Sequence, residues 1–373
     1  MSPSRRWHPS GESEELVFAV CEKFFSLLGE QYQAGSGDKR GAAAAVAKWL
    51  REERGRGDLG RERIYPLIWE AFRRNFLFLQ PPRERDLADQ IARRYGISRY
   101  AEDKQVLQVV DVSGEEAARN VTSAGADLVL SLIQRIAARR AGPVHVGLGA
   151  GYSAMRVAKR LAQRLSSDLK CPDLVLHALS AGGFRIDQPH KSPISYFGYF
   201  DDVMARVECV ALYAETVVTK SDYQRVKRSL GVKKSFERAD EIDIVITSLA
   251  SEEDEHGMLG QFLASLIDEG ELDRGALDEM RAAGWVGDVQ FRPYSAATAL
   301  ADECPVRAVT LFEISELVER VKRNDRYVVL LAGPCAECGR TKTKALVPLL
   351  TQENLLLWTH LVTDVPTARE LLS

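Results

Sequence analysis

From about Arg83 onward the chain alternates short, continuously apolar runs with longer amphipathic stretches, and this alternation limits the fold more than any other feature. Val106-Leu-Gln-Val-Val-Asp-Val, Val144-His-Val-Gly-Leu-Gly, Asp173-Leu-Val-Leu-His-Ala-Leu and Cys209-Val-Ala-Leu-Tyr read as strands. So do Ile242-Asp-Ile-Val-Ile-Thr, Val306-Arg-Ala-Val-Thr, Tyr327-Val-Val-Leu-Leu-Ala and Leu361-Val-Thr-Asp. A strand with one wet face alternates apolar and polar residues, whereas a strand covered on both faces is apolar throughout. Helices over 83–95, 113–140 and 153–165 supply the cover. The fold class expected is therefore α/β, with a Rossmann-like parallel sheet in the larger domain. In such sheets ligands sit beyond the carboxyl ends of the strands, which directs the search for chemistry to the loops that follow them.

The amino-terminal part has a different texture. Residues 1–12 read as a disordered terminus and residues 13–82 as a helical domain. Leu16, Val20, Phe24 and Leu27 recur at helical spacing behind Ser13, a residue type that caps helices, so the first helix spans about 13–32. A second helix runs over 41–53. A third opens near Gly60 with Ile64, Leu67, Ile68, Ala71 and Phe72 on one face, and Phe76-Leu-Phe-Leu then reads as a short strand. Three helices and a short strand is the layout of a winged helix-turn-helix, here partly degenerate because Arg54-Gly-Arg-Gly-Asp-Leu-Gly60 lengthens the turn.

Charge agrees with that layout. The 373 residues carry 50 Lys+Arg against 53 Asp+Glu, a net charge of −3, so the whole molecule is no polycationic coat and any nucleic-acid contact must be local. Residues 38–85 hold twelve basic and seven acidic side chains. Lys39, Arg40, Arg61, Arg63, Arg73 and Arg74 are the candidate DNA contacts, with Arg61 and Arg63 nearest the groove. No run approaches the roughly 18 apolar residues of a membrane span, and the six cysteines are scattered, so a cytoplasmic protein with no membrane partner is expected.

Among the strand-following loops, Gly147-Leu-Gly149-Ala-Gly151-Tyr-Ser153 has the strand, glycine loop and helix order that cradles an anion on backbone amides and a helix amino terminus. Gly182, Gly183 and Arg185 form a second such loop with one cation. A third runs from Gly333 to Lys342, whose ammonium can neutralise a phosphate. Cys335-x-x-Cys338 lies within it and reads as a redox pair, half of a zinc site or, preferred, two inert thiols. Cys304 and His360 are the partners that a zinc site would need, and no metal or cofactor is expected. Ser251-Glu-Glu-Asp-Glu-His256 reads as a solvated acidic loop, with metal or cation binding as the alternative.

Four segments taken together, Gly147-Leu-Gly-Ala-Gly-Tyr-Ser, Gly284-Trp-Val-Gly287-Asp288, Lys342-Thr-Lys-Ala-Leu and Leu361-Val-Thr-Asp364-Val-Pro-Thr-Ala368-Arg-Glu-Leu-Leu372, resemble the SorC family of bacterial sugar-responsive transcription regulators in order and approximate spacing. The resemblance covers about residues 83–373. It implies a sugar-binding effector domain of the ribose-phosphate isomerase and glucosamine-phosphate deaminase type, a phosphorylated sugar as ligand, and tetrameric assembly on operator DNA. It also adds Asp288 to the candidate ligand residues. The chain departs from the family at Thr247-Ser-Leu-Ala-Ser251, where a Gly-Ile-Gly motif is usual, and at Pro334.

The sequence thus predicts a ligand-responsive DNA-binding regulator, a homo-oligomer whose ligand site draws on Gly147, Gly149, Gly151, Ser153, Gly182, Gly183, Arg185, Asp288 and Lys342. Two alternatives stay open. One is a sugar-phosphate isomerase or deaminase, with Asp288, His190 and Asp364 as the acid–base candidates. The other is an assembly protein that has kept the fold and lost DNA or sugar binding.

Overall fold

The computed structural model describes residues 7–33, 38–74, 76–77, 81–97, 107–111, 117–166, 171–182 and 188–373. The chain divides into two compact units, Met1–Leu79 and Gln80–Ser373.

The first unit packs α1 (Glu14–Gln33), α2 (Lys39–Glu53) and α3 (Arg61–Arg73) around Val17, Val20, Phe24, Val46, Leu50, Ile64 and Leu67, all buried. Ser13 caps α1 by accepting a bond from the Leu16 amide at 3.2 Å, and Asp38 caps α2 through the Arg40 amide at 3.0 Å. Val20 and Phe24, from the apolar stripe of the first helix, are buried in this core, while Phe18 and Phe25 are the exposed aromatics of α1. Of the terminal residues 1–12, the described ones from Trp7 onward contact the helices. Glu12 takes both Arg56 guanidinium nitrogens at 2.7 and 2.8 Å, and Trp7 donates to Glu12 and lies beneath Arg63. The same Arg56 holds Asp58, so the long α2–α3 turn is braced by ion pairs. Phe76 and Leu77 form a bend instead of the expected strand, and residues 78–80 lie outside the described residues. No strand, and hence no wing, occurs among the described residues of this unit.

The second unit opens with α4 (Arg85–Arg94), β1 (Leu107–Val110), α5 (Ala117–Arg139), β2 (Val144–Leu148), α6 (Tyr152–Leu165), β3 (Leu174–Ala178), α7 (Pro193–Tyr196) and β4 (Val207–Val210). It continues through β5 (Val217–Val218), α8 (Lys220–Lys227), α9 (Val232–Glu237), β6 (Ile244–Ser251), α10 (Met258–Asp268), α11 (Ala276–Ala282), β7 (Trp285–Val289) and β8 (Arg292–Ser295). It closes with β9 (Arg307–Ala308), α12 (Ile314–Lys322), β10 (Tyr327–Ala332), α13 (Thr343–Thr351), β11 (His360–Asp364) and α14 (Val365–Leu372). The main sheet runs β1-β11-β10-β6-β2-β3-β4, every pair parallel. Helices α5 and α6 cover one face through Val129, Leu132, Val157 and Leu161. The other face carries Leu317, Leu346, Leu349, Ala368 and Leu371 from α12, α13 and α14. Both faces are dry, which is why the strands read as unbroken apolar runs. Helix α5 is long and apolar enough to cross a membrane by length and composition, but its apolar positions pack on the sheet.

Two features differ from the sequence reading. Residues 306–310 do not join the main sheet, since β9 pairs antiparallel with β5 in a separate two-stranded ribbon. The segment containing Asp288 is a hairpin, β7–β8, that pairs antiparallel with the far end of β6 (Leu249–Ser251 against Val289–Gly287). Strand β6 is thus parallel at Ile244–Ser248, and beyond the carboxyl edge of the sheet it serves as the base of a hairpin that overhangs that edge. Gly287 permits this crossing, because a Cβ there would lie 2.6 Å from the Ala250 carbonyl and 2.7 Å from Ala345 Cβ.

Candidate functional site

Strands β2, β6 and β10 are neighbours, so their loops emerge together at one edge of the sheet, and the overhanging hairpin closes the space above them. The resulting pocket is walled by Gly151, Tyr152 and Ser153 after β2, by Asp254 and His256 after β6, by Asp288, Gln290 and Phe291 from the hairpin, by Cys335 and Glu337 after β10, and by Lys191 and Lys342. Gly151 adopts φ +104 and lets the chain turn into α6, whose first residues, Tyr152 and Ser153, line the pocket. Its amide donates to the Lys191 carbonyl at 3.0 Å, and the buried Tyr196 hydroxyl sits between the Gly151 and Lys191 carbonyls. The loop is therefore fixed before any ligand arrives.

The sequence-predicted residues separate here. Gly151, Ser153, Asp288 and Lys342 line the pocket. Gly147 and Gly149 do not; they are packing positions beneath it, where a Cβ would lie 2.6 Å from Leu179 Cδ2 and 2.9 Å from the Ile246 carbonyl, respectively. Gly182 sits against Thr216 after β3, one strand further out, and is not part of the wall. Gly183 and Arg185 lie outside the described residues. Of the acid–base candidates, His190 is exposed and does not itself line the pocket, and Asp364 is a buried cap that accepts from the Thr367 amide at 3.2 Å. Neither Cys304 nor His360 approaches the Cys335-x-x-Cys338 turn; Cys304 belongs to a core cluster with Leu259 and Leu263.

The electrostatics are mixed and specific. Asp288 is buried, and desolvation pushes its carboxyl up to about 7 against the opposing pull of the Lys342 ammonium and the Phe291 amide. At neutral pH it is therefore divided between its protonated and ionised forms, and in the protonated form a pocket wall that a carboxylate would make repulsive to anions can donate a hydrogen bond. The Lys342 ammonium donates to the Leu249 carbonyl at 2.9 Å, and Lys191 lies 3.9 Å from Glu337. The acidic run folds in only at Asp254, because Glu252 pairs with Arg281, Glu253 with Lys344, and Glu255 is exposed.

The sequence reading passed over the turn of the hairpin. Gln290 and Phe291 adopt φ +51 and +61, the only non-glycine residues at positive φ among those described, in a two-residue connection that favours Asn-Gly or similar. The Gln290 side chain is 7% exposed, and neither its Oε1 nor its Nε2 has a hydrogen-bond partner. Two strained residues and an unsatisfied buried amide at one pocket wall is a combination that packing alone does not reward.

In the first unit, Lys39 and Arg40 are exposed at the start of α2, and Arg61 at the start of α3, where Tyr65 and Trp69 continue the same exposed face. Arg63 is engaged, stacked over Trp7 at 4.8 Å and donating to the Asp58 carbonyl at 2.9 Å. Arg73 and Arg74 both hold the buried Glu70, whose carboxyl they draw down to about 2, and Arg74 also donates to the Ser10 and Glu12 carbonyls.

No family model and no curated protein matches the chain. Solved structures do. The full-length sorbitol operon regulator SorC from Klebsiella pneumoniae superposes with a TM-score of 0.60 over 97% of this chain and 100% of its own, at 16% identity. A probable sor operon regulator from Shigella flexneri gives 0.54 over 77% of this chain and 98% of its own, at 16% identity. A protein described as a DeoR family transcriptional regulator, from Listeria monocytogenes, gives 0.52 over 77% and 98%, at 18% identity. The fold is thus the one seen in sugar-binding transcriptional regulators of the SorC and DeoR type.

Proposed function

We propose that this chain is a ligand-responsive, DNA-binding transcriptional regulator whose pocket takes a phosphorylated sugar or a similar small anionic metabolite. The observation that carries the ligand reading is the Gln290–Phe291 turn, which spends backbone strain to present an unpartnered buried amide beside the α6 amino terminus. A sugar hydroxyl meets the donor and acceptor of that amide. The first amides of α6, with Lys191 and Lys342, face the charge of a phosphate, and protonated Asp288 adds a donor where an ionised carboxylate would repel. The likeness in fold to a full-length regulator over nearly the whole chain supports the DNA-binding part.

On this reading Arg61 and the exposed face of α3 approach the bases, while Lys39 and Arg40 meet phosphates. Arg63, Arg73 and Arg74, each already engaged within the unit, hold the helices in place. Self-association would let two such units read a symmetric site. The test is fluorescence anisotropy of the full chain on DNA flanking its own gene, with salt varied and with sugar phosphates added. Binding that weakens steeply with salt and shifts with a sugar phosphate supports the assignment; absence of binding at low salt overturns it.

A further inference from the structure

We propose that Asp254, His256, Cys335 and Cys338 form a four-coordinate site for a thiophilic divalent cation of the zinc class, clamping the loop after β6 to the loop after β10. One donor atom from each of the four lies within 4.8 Å of all the others. Tetrahedral zinc, with bonds of about 2.3 Å to sulfur and about 2.0–2.2 Å to nitrogen or oxygen, sets its ligand atoms about 3.3–3.8 Å apart. His256 Nδ1 already meets that spacing twice, at 3.6 Å from Cys335 Sγ and 3.4 Å from Asp254 Oδ1.

A second observation points the same way. The other imidazole nitrogen, His256 Nε2, lies 3.3 Å from Glu337 Oε2. A carboxylate on the non-ligating nitrogen is the arrangement that fixes the tautomer and orientation of a metal-bound histidine. The cysteine pair is preshaped as well. Its turn is closed by the Gly339 amide on the Cys335 carbonyl and the Cys335 amide on the Arg340 carbonyl, both at 2.9 Å, with Gly339 at φ +73. Backbone amides of Glu337 and Cys338 point at the Cys335 sulfur and that of Arg340 at the Cys338 sulfur, the donors a thiolate needs.

The donor set selects the ion. Two thiolates exclude magnesium and calcium, and two sulfurs, one nitrogen and one oxygen in a closed tetrahedron suit zinc, with cobalt as its spectroscopic substitute. Four protein ligands leave no open position for a reactive water, so the cation ties two walls of the pocket together instead of performing chemistry there. The site stands on this geometry alone and does not depend on which ligand the pocket takes.

The test uses the full chain, purified under reducing conditions, stripped with a chelator and titrated with cobalt(II), alongside elemental analysis of the untreated protein. One equivalent of cobalt, with thiolate charge-transfer absorption and the intense visible bands of tetrahedral coordination, and about one zinc per chain before stripping, are expected. Cys338→Ser, at an exposed position, should lose the charge-transfer intensity of one thiolate and bind at least tenfold more weakly, and His256→Ala should also weaken binding. Cys209→Ser, on the edge strand β4, should behave as wild type. Three results would overturn the proposal: no thiolate band in the reduced wild-type chain, a band unchanged in Cys338→Ser, or a Cys335–Cys338 disulfide whose reduction restores no metal uptake.

Discussion

Replacing Asp288 by Asn tests the electrostatic character assigned to the pocket. Burial raises this carboxyl from its ordinary 3.8 to about 7, with Lys342 opposing the shift and Asp254 adding to it. A group held more tightly protonated in the folded than in the unfolded chain makes the folded state bind more protons between those two values, so its contribution to stability falls as pH rises through that window and is constant above about 7. Three units at 1.36 kcal/mol each set an upper limit of about 4 kcal/mol on that loss. Asn is isosteric and cannot ionise. In urea unfolding of wild type and Asp288→Asn at pH 5 and pH 8, only the two units between pH 5 and about 7 are sampled, so Asn should gain relative to Asp by about 1–3 kcal/mol between the two pH values. The double difference cancels every group that titrates alike in both chains. An equal difference in stability at pH 5 and pH 8 would refute the claim that Asp288 is desolvated and protonated. The same ionisation should weaken an anionic ligand above pH 7 in wild type but not in the variant.

The strain at the hairpin turn predicts that Gln290→Gly stabilises the folded chain by about 1 kcal/mol while weakening ligand binding, as read by urea midpoints and calorimetry; a destabilised variant would show that the turn is not strained. Gly287→Ala, with its Cβ forced against Ala250 and Ala345, should cost about 1–3 kcal/mol in the same unfolding assay. In the first unit, Arg61→Ala should weaken specific DNA binding by about 1–3 kcal/mol with no change in melting temperature, whereas Arg63→Ala, which strips the cover from Trp7, should lower the melting temperature. Equal effects of the two on both readouts would contradict the division of roles.

Much of the second unit was legible because burial writes itself into sequence. The central strands β2, β3, β6 and β10 are covered on both faces and so are largely apolar, and α6 shows its glycine-led start. The hairpin β7–β8 was not legible. Its turn residues Gln290 and Phe291 are the opposite of the Asn-Gly signal for a two-residue loop, so local preference gives no hint of the positive φ found there. The glycines at 147 and 149 were visible as a motif, yet the same lack of a side chain that lets a backbone approach an anion also lets one strand approach another, and only the three-dimensional neighbours distinguish the two. Cys335 and Cys338 were counted against other cysteines and His360. Their neighbours come from the acidic loop some eighty residues earlier, a juxtaposition created by the adjacency of β6 and β10. In the first unit the basic residues were counted as free charges, and the structure divides them into exposed ones and ones engaged by Glu70, Trp7 and Asp58.

The central claim is that this pocket binds a small phosphorylated sugar, and calorimetric titration of the full chain with hexose and pentose phosphates, each beside its unphosphorylated parent sugar, tests it most directly. The account predicts saturable binding of at least one sugar phosphate, at least tenfold weaker binding of its parent sugar, and loss of the phosphate preference in Lys342→Met. Equal binding of phosphorylated and parent sugars, or binding of a phosphate that is unchanged in both Lys342→Met and Gln290→Leu, would contradict it.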